Sequence, residues 1–304
     1  MKMKLIAVCA LISVPVLTKA QNETFGWACT ELDPVYTAMA GCHITSSHDI
    51  SYSAFHNPAM IPLSERKMGV TVSYRAGIDA MAYGDISAGT GFKIGKHFGL
   101  ALGANYKLGP EYEVIDDFGN RNGMFKTSAL MLSIGAGVRI IDNLSLGLNL
   151  KYLGEVLEPQ DNPGAFACDA YLSYRWSWLT ASAGVANVGT KVKDSAGQAF
   201  PLPSSAKLGI AYSYTFGPDH FVEASVNADI YFTGKTGIAL GAQYGWRDML
   251  FIRAGYRYAT QACPVPGYAS VGLGCRLKGF RIDLAYLFTG SLNNTIGLAL
   301  GYSF

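Results

Sequence analysis

The sequence predicts an all-β protein: a transmembrane antiparallel β-barrel of about fourteen strands with an N-terminal plug segment. Three observations favour this fold: strict two-residue alternation along most of the chain, an apolar glycine-rich composition, and regular alternation of short and long connections. Of 304 residues, 50% are hydrophobic and 15% are charged, and there are 35 glycines and 18 tyrosines. A soluble domain is seldom this apolar, and a formal net charge of +2 argues against a nucleic-acid partner.

Residues 1–20 have the order of a secretory signal peptide, with two early lysines, an apolar stretch over 5–17 and small residues before the cleavage point. We expect cleavage between Ala20 and Gln21. Beyond this point no apolar run approaches the ~20 residues that a spanning helix needs. An exported chain this apolar therefore favours a closed barrel, which satisfies its backbone in lipid.

Residues 21–66 show no sustained alternation and contain several prolines, so we expect an N-terminal plug there and a barrel over 67–304. A short helix is expected over 35–41.

From residue 68 onward, large apolar side chains alternate with small or polar ones, which predicts strands. The final strand ends on Tyr302 and Phe304, an aromatic terminus of the kind that the barrel assembly machinery is expected to read. It should close the barrel against the first strand. The expected strands lie at 68–75, 79–95, 98–108, 125–141, 143–157, 165–177, 179–188, 204–216, 220–232, 236–246, 249–259, 267–277, 280–289 and 295–304.

Many of these strands reach about ten residues, the length of a tilted spanning strand. Aromatic residues at strand ends suit the girdles at the two membrane interfaces: Tyr106, Tyr152, Trp176, Trp178, Trp246, Tyr258 and Phe304.

Short connections alternate with longer polar loops near 109–124, 158–164, 190–204, 260–267 and 290–293. Outer-membrane barrels have short periplasmic turns and longer outer loops. We therefore expect a location in the cell outer membrane, in contact with its lipid.

Charged residues of both signs fall on the small-residue face of the strands and should line the lumen: Arg139, Lys151, Glu155, Arg175, Lys207, Asp229, Arg253, Arg257, Arg276 and Asp283. Two interpretations are open. The favoured one is a hydrogen-bonded lining that packs against the plug, and the other is an ion-selective or substrate-binding lining.

Chemistry-bearing motifs are few. Cys29 and Cys42 could pair within the plug, or they could be free buried thiols. His43, His48 and His56 match no metal-ligand spacing, so we expect polar plug residues and no metal. There is no G-x-S-x-G motif, and we expect neither an enzyme nor a cofactor.

The stretch Asn57-Pro58-Ala59, preceded by the AMAG sequence at 38–41 and the SHD sequence at 47–49, resembles the N-terminal segment of FadL-like outer-membrane proteins. The resemblance implies a plug inside a fourteen-stranded barrel, in agreement with the strand count above.

Within that superfamily, three stretches resemble the PorV/PorQ branch of Bacteroidota: VANVG at 185–189, PLP at 201–203 and KLGIAY at 207–212. This resemblance implies a part in type IX protein secretion, with binding of secretion components or of the C-terminal domains of exported cargo. The outer loops 109–124 and 190–204 would make the contacts, with Glu111, Tyr112 and Glu113 as candidates.

Two alternatives stay open: a FadL-like transporter of hydrophobic small molecules, and a structural barrel without a specific ligand. A transporter should have an apolar pocket that reaches from the outer loops to the plug. A secretion barrel should have a closed lumen and a stable partner.

Overall fold

In the computed structural model, which describes residues 23–45, 49–78, 84–115, 118–157, 162–193, 197–290 and 294–304, fourteen strands form a closed antiparallel barrel. The predicted barrel and its strand number are confirmed. The expected signal peptide, its cleavage site and His48 lie outside the described residues. The described residues form sixteen strands, of which all but the short pair β8 and β9 belong to the barrel. They are β1 (Met68–Gly77), β2 (Gly84–Ile94), β3 (Phe98–Ile115), β4 (Arg121–Ile141), β5 (Leu144–Val156), β6 (Gly164–Trp176), β7 (Leu179–Gly189), β8 (Val192–Lys193), β9 (Ala199–Phe200), β10 (Ser205–Phe216), β11 (His220–Tyr231), β12 (Thr236–Trp246), β13 (Leu250–Ala259), β14 (Tyr268–Leu277), β15 (Phe280–Phe288) and β16 (Thr295–Ser303).

The barrel closes where its first and last strands pair, as the sequence predicts. β1 pairs with β16 from Gly69 opposite Ser303 onward. The backbones of Met68 and Phe304 exchange two hydrogen bonds, of 3.0 and 3.1 Å. Phe304 therefore takes part in the strand pairing, and the barrel has no free strand edge where β1 meets β16.

Alternation sorts the side chains between the two sides of the wall. In β16, Leu300 is 55% exposed on the outside whereas Ala299 is fully buried inside. The predicted aromatic residues face outward, and at the short-turn end Trp176, Trp178 and Tyr212 form consecutive ring contacts of 5.7 and 5.3 Å. An apolar, aromatic-rimmed exterior of this kind suits lipid. Among the described residues, no helix combines the length and the apolarity that crossing a membrane requires.

The loop predicted over 109–124 is wrong in its extent. β3 continues to Ile115 and β4 begins at Arg121, because pairing resumes beyond a register shift with Glu111 opposite Lys126. Most of this connection is thus a projecting hairpin, and Tyr112 on it is 55% exposed.

The connection between β7 and β10 turns inward over the plug. It contains the small hairpin β8–β9, and its Leu202 is buried against Phe25 and Ala28 of the plug. The Thr24 amide donates to the Pro201 carbonyl at 3.1 Å. The predicted outer loop 190–204 therefore lies partly on the plug and is not a free surface. We call this connection the cover.

The plug contains one short helix, α1 (Pro34–Ala38), and 3-10 turns at Gly26–Cys29 and Pro58–Met60. Asp33 caps α1 through its side chain. The helix is shorter than the predicted 35–41, because Ala40 and Gly41 have positive φ angles of 56° and 88°.

The possible Cys29–Cys42 disulfide does not form. Both thiols are free. The Cys29 thiol lies 3.9 Å from the Pro203 carbonyl oxygen, and the Cys42 thiol donates to the Ser225 carbonyl oxygen at 3.6 Å. Cys29 contacts the connection before β10 and Cys42 contacts β11, which leaves the interpretation as free thiols.

The C-terminal residue offers a test that separates backbone pairing from recognition of its ring. Deletion of Phe304 should reduce refolding in detergent, because two ladder hydrogen bonds to Met68 are lost. Phe304→Ala keeps those bonds and should refold like the wild type, but should reach the membrane poorly in cells if the ring is an assembly signal. The shift in gel mobility on boiling measures the folded fraction, and equal assembly of Phe304→Ala in cells would contradict the assembly role.

Candidate functional site

The candidate site is the contact between the plug and the inner wall, and the Asn57-Pro58-Ala59 motif lies at its centre. Asn57 is 2% exposed. Its side-chain oxygen accepts from the Ala59 amide at 3.0 Å and caps the 3-10 turn. Its side-chain nitrogen donates to the Ile44 carbonyl at 2.7 Å and to Ser173 Oγ at 2.9 Å. One amide side chain thus connects two plug segments to β6.

The motif approaches the wall where the wall has glycines. A β-carbon on Gly137 would lie 2.2 Å from the Pro58 carbonyl oxygen, and one on Gly147 would lie 2.2 Å from the Ala59 nitrogen. The sequence predicted small inward side chains, and the close approach of the plug backbone supplies the reason.

All ten charged residues of the predicted lining lie on the inner side of the wall, and two of them bind the plug directly. Arg139 donates to the Pro62 carbonyl oxygen, and Arg175 donates to the Leu63 carbonyl oxygen at 2.9 Å. These carbonyls follow the 3-10 turn Pro58–Met60, so the arginines replace the backbone partners that an irregular chain lacks.

Other predicted lining residues pair with one another, between neighbouring strands or across one intervening strand. Asp229 binds Lys207 and Arg257, each at 2.6 Å. Arg253 binds Asp283 at 2.7 Å.

Lys151 takes part in a further cluster, at a bulge in β7. Its ammonium lies 2.7 Å from Asp169 and donates to Asn187 at 3.2 Å. Asn187 has a φ of 56°, and its amide donates to Asp169 at 2.8 Å. The VANVG stretch singled out in the sequence is therefore a β-bulge whose left-handed residue is tied to the lumen charges.

The remaining two predicted residues have different surroundings. Glu155 is half-buried near the outer end of β5. Arg276 lies at the short-turn end, where it binds the exposed Asp248 at 3.1 Å.

Arg281 was missing from the predicted lining, although it binds the plug more extensively than the predicted residues do. Its guanidinium lies 3.3 Å from Asp33, 2.8 Å from Asp49 and 3.1 Å from Asp283. Inward alternation in β15 was the available signal. The two plug carboxylates could not be assigned to it, because they are far away in sequence.

Glu31 was also missed, and it joins two of the plug histidines. Its carboxylate lies 2.7 Å from His43 Nδ1 and 2.6 Å from His56 Nε2. Burial alone would raise the pKa of Glu31, but the two imidazoles hold the pKa well below its usual range. Burial lowers the pKa of His43 to about 4.

Two open spaces lie against the barrel, one on its outer face and one at its short-turn end. The first is an apolar depression of about 740 Å³ on the outer face of β1–β6. Its floor contains Ala88 and Ala104, and larger apolar side chains surround it: Val70, Leu102, Leu132, Leu150, Tyr152 and Phe166. The second is a polar bowl of about 650 Å³ at the short-turn end, whose lining includes Arg66 and Arg175. Neither of these two spaces runs from the outer loops to the plug.

The sequence matches no protein-family model and no curated protein. Among solved structures, the chain is similar to the CymD monoaromatic hydrocarbon channel, with a TM-score of 0.64, 14% identity, and coverage of 90% of this chain and 97% of that one. The Pseudomonas putida toluene transporter TodX gives 0.56 at 14% identity, with 88% and 96% covered. A Pseudomonas aeruginosa FadL homologue gives 0.58 at 13% identity, with 90% and 98% covered.

The chain has the fold of these three proteins. At such low identities the likeness concerns the path of the backbone, and it covers nearly all of each channel. The FadL-like part of the sequence resemblance agrees with it. The PorV/PorQ assignment stays a prediction.

The glycine contact predicts a size limit at Gly147. Gly147→Val should loosen the plug and cost about 1–3 kcal/mol, because the new side chain overlaps the Ala59 backbone. Ala136→Val adds its methyl groups on the lipid side and should be nearly neutral. Denaturant titration and limited proteolysis of the plug measure both effects, and equal behaviour of the two variants would contradict the close contact.

The three carboxylates around Arg281 predict a large cost for its removal. Arg281→Gln should destabilise the folded protein by about 3–5 kcal/mol, since Asp33, Asp49 and Asp283 lose a buried counter-charge. Arg247→Gln is the matched control, because the Arg247–Asp219 pair is exposed and should be worth only about 0–1 kcal/mol. If both variants unfold at the same denaturant concentration as the wild type, Arg281 does not anchor the plug.

Proposed function

We propose that the chain is an outer-membrane channel for small hydrophobic molecules, and that its plug moves to let them pass. The observation that carries the proposal is the shared fold, which spans 97% of a monoaromatic hydrocarbon channel and 96% of a toluene transporter. The exterior of this barrel is apolar, as a bilayer requires.

The lumen as described is filled by the plug, so passage requires the plug to move. Hydrogen bonds and ion pairs attach it to the wall, and α1 has only five residues. Little of its fold is independent of the wall, so movement of the plug must break or exchange these contacts.

An apolar route is supported by the arrangement around β4–β6. At the outer mouth, Phe25 and Trp27 of the plug pack with Val192 and Leu202 of the cover. The same cluster includes Ala167 of β6, which also lines the depression on the lipid side. A hydrophobic molecule that enters at the mouth is thus separated from a lipid-facing apolar space by the thickness of the wall.

The type IX secretion role implied by the PorV/PorQ resemblance is the competing hypothesis. The solved structures reported above are channels or a FadL homologue. Binding to secretion components or cargo stays a prediction from sequence, and so does recognition of the terminal aromatic residues by the assembly machinery.

Uptake of radiolabelled toluene by cells that carry the protein in the outer membrane tests the proposal. Cells with the wild-type protein should take up toluene faster than cells with an empty vector. Ser51→Cys with Thr71→Cys should then block uptake under oxidation, because the two hydroxyl oxygens are 2.8 Å apart and a disulfide can form there. Reduction should restore uptake.

The exposed Cys168 and Cys275 are replaced by alanine in the double-cysteine variant and in its control. The matched control is Ser51→Cys alone. If the wild-type protein adds no uptake, and if secretion components accompany it in a pull-down from native membranes, the channel proposal is wrong. If the oxidised double-cysteine variant still transports, only the plug motion is wrong.

A further inference from the structure

Three plug side chains that the proposed function does not use converge at one point. Glu31 precedes α1, His43 follows it, and His56 lies just before Asn57. One carboxylate oxygen or ring nitrogen from each side chain lies within 4.8 Å of the others. Side-chain exposures are 7%, 14% and 8%, in the same order.

The contact between His43 and Glu31 is close but does not have the geometry of a hydrogen bond. His43 Nδ1 lies 2.7 Å from Glu31 Oε2, and this buried nitrogen makes no hydrogen bond to any described residue. A buried polar atom whose hydrogen bond is not formed calls for an explanation, and a bound ion is one of the usual ones.

The carboxylate of Glu31 is already oriented. Its Oε1 accepts from the Leu32 amide at 3.1 Å and from the Asp33 amide at 3.4 Å. Oε2 points toward His43 and is the oxygen left for another ligand.

The imidazoles are fixed by aromatic neighbours. The ring of His56 packs edge-on against Tyr36, with ring centres 5.0 Å apart, and stacks with His43 at 4.5 Å. Tyr52 lies on the His56 ring at 6.2 Å. The histidines therefore lose little freedom when they bind a ligand.

We propose that Glu31, His43 and His56 form a binding site for a divalent transition metal ion of the zinc type. Two imidazole nitrogens and one carboxylate oxygen are a common protein donor set for zinc, with water in the fourth position. Oxygen-seeking ions such as Mg²⁺ and Ca²⁺ prefer sites without imidazole.

Metal binding requires the donors to move. Metal–ligand bonds of about 2.0–2.2 Å separate adjacent donors by roughly 3.3 Å in a tetrahedral site. The two nitrogen–oxygen distances, each to a different oxygen of Glu31, are now 2.6 and 2.7 Å, and the donor atoms lie up to 4.8 Å apart. The most distant donors must therefore approach by roughly 1.5 Å, through a swing of one imidazole ring and release of the contact between His56 and Oε1. His43 is the most exposed of the three and marks the side from which the ion enters.

The ion would cross-link residues 31, 43 and 56, which are three separate parts of a plug with little regular structure. Its binding energy would then stabilise the folded plug, as in other structural metal sites. This role is independent of what the barrel transports.

The test uses the refolded full-length barrel with a histidine-free purification tag. The protein is treated with chelator, incubated with excess ZnSO₄ and desalted, and its zinc content is measured by mass spectrometry. The wild type should retain about one zinc per chain and should unfold at a higher temperature with zinc than without it.

Glu31→Gln, His43→Gln and His56→Gln should each lose the zinc and the thermal shift. His97→Gln is the matched control, because His97 is exposed on a turn outside the cluster, and it should retain both. A wild type without zinc, or plug variants that keep it, would overturn the proposal.

The visible spectrum of the Co²⁺-loaded wild type decides the case if the variants do not fold. Intense bands of low-coordinate cobalt would support the site. The weak spectrum of hydrated cobalt would overturn it.

Discussion

The structure depends on one constraint: a plug with almost no regular secondary structure lies inside a barrel, and its backbone polar groups must find partners there. The wall supplies them. Ser133 and Ser145 donate to the Ala54 and Ala59 carbonyls. Arg139 does the same for Pro62. Where no side chain is needed, glycine lets the two backbones approach closely. The small and polar inward face of the strands is therefore the counterpart of an irregular plug.

The buried charges of this contact determine where the plug lies more than they stabilise the folded protein. Arg281 connects β15 to Asp33 and Asp49, which lie in the first and second halves of the plug. Buried ion pairs contribute little net stability, but a misplaced partner is costly. The network thus favours one placement of the plug over others. It also means that a plug that moves must either keep its charges paired or exchange their partners.

The proposed passage of a hydrophobic solute requires that it avoid the charged residues of the lumen. One apolar cluster of the plug lies near β4–β6 and the cover, and another packs against β12, β14 and β15. The ion pairs between plug and wall include those of Arg281 on β15. Plug movement near β4–β6 would leave these Arg281 pairs in place, whereas movement near β15 would break them.

Sequence alone determined the closed barrel, its strand number and the inward or outward direction of most side chains, because alternation is a local property of each strand. It also placed Lys207, Asp229 and Arg257 on the inner face. Only the tertiary structure decided which charges form pairs and that Glu31 contacts His43 and His56. It also decided that β3 and β4 extend beyond the wall and that the 190–204 connection covers the plug. The physical reason is that these contacts join segments distant in the chain, and a periodic pattern carries no information about such pairing.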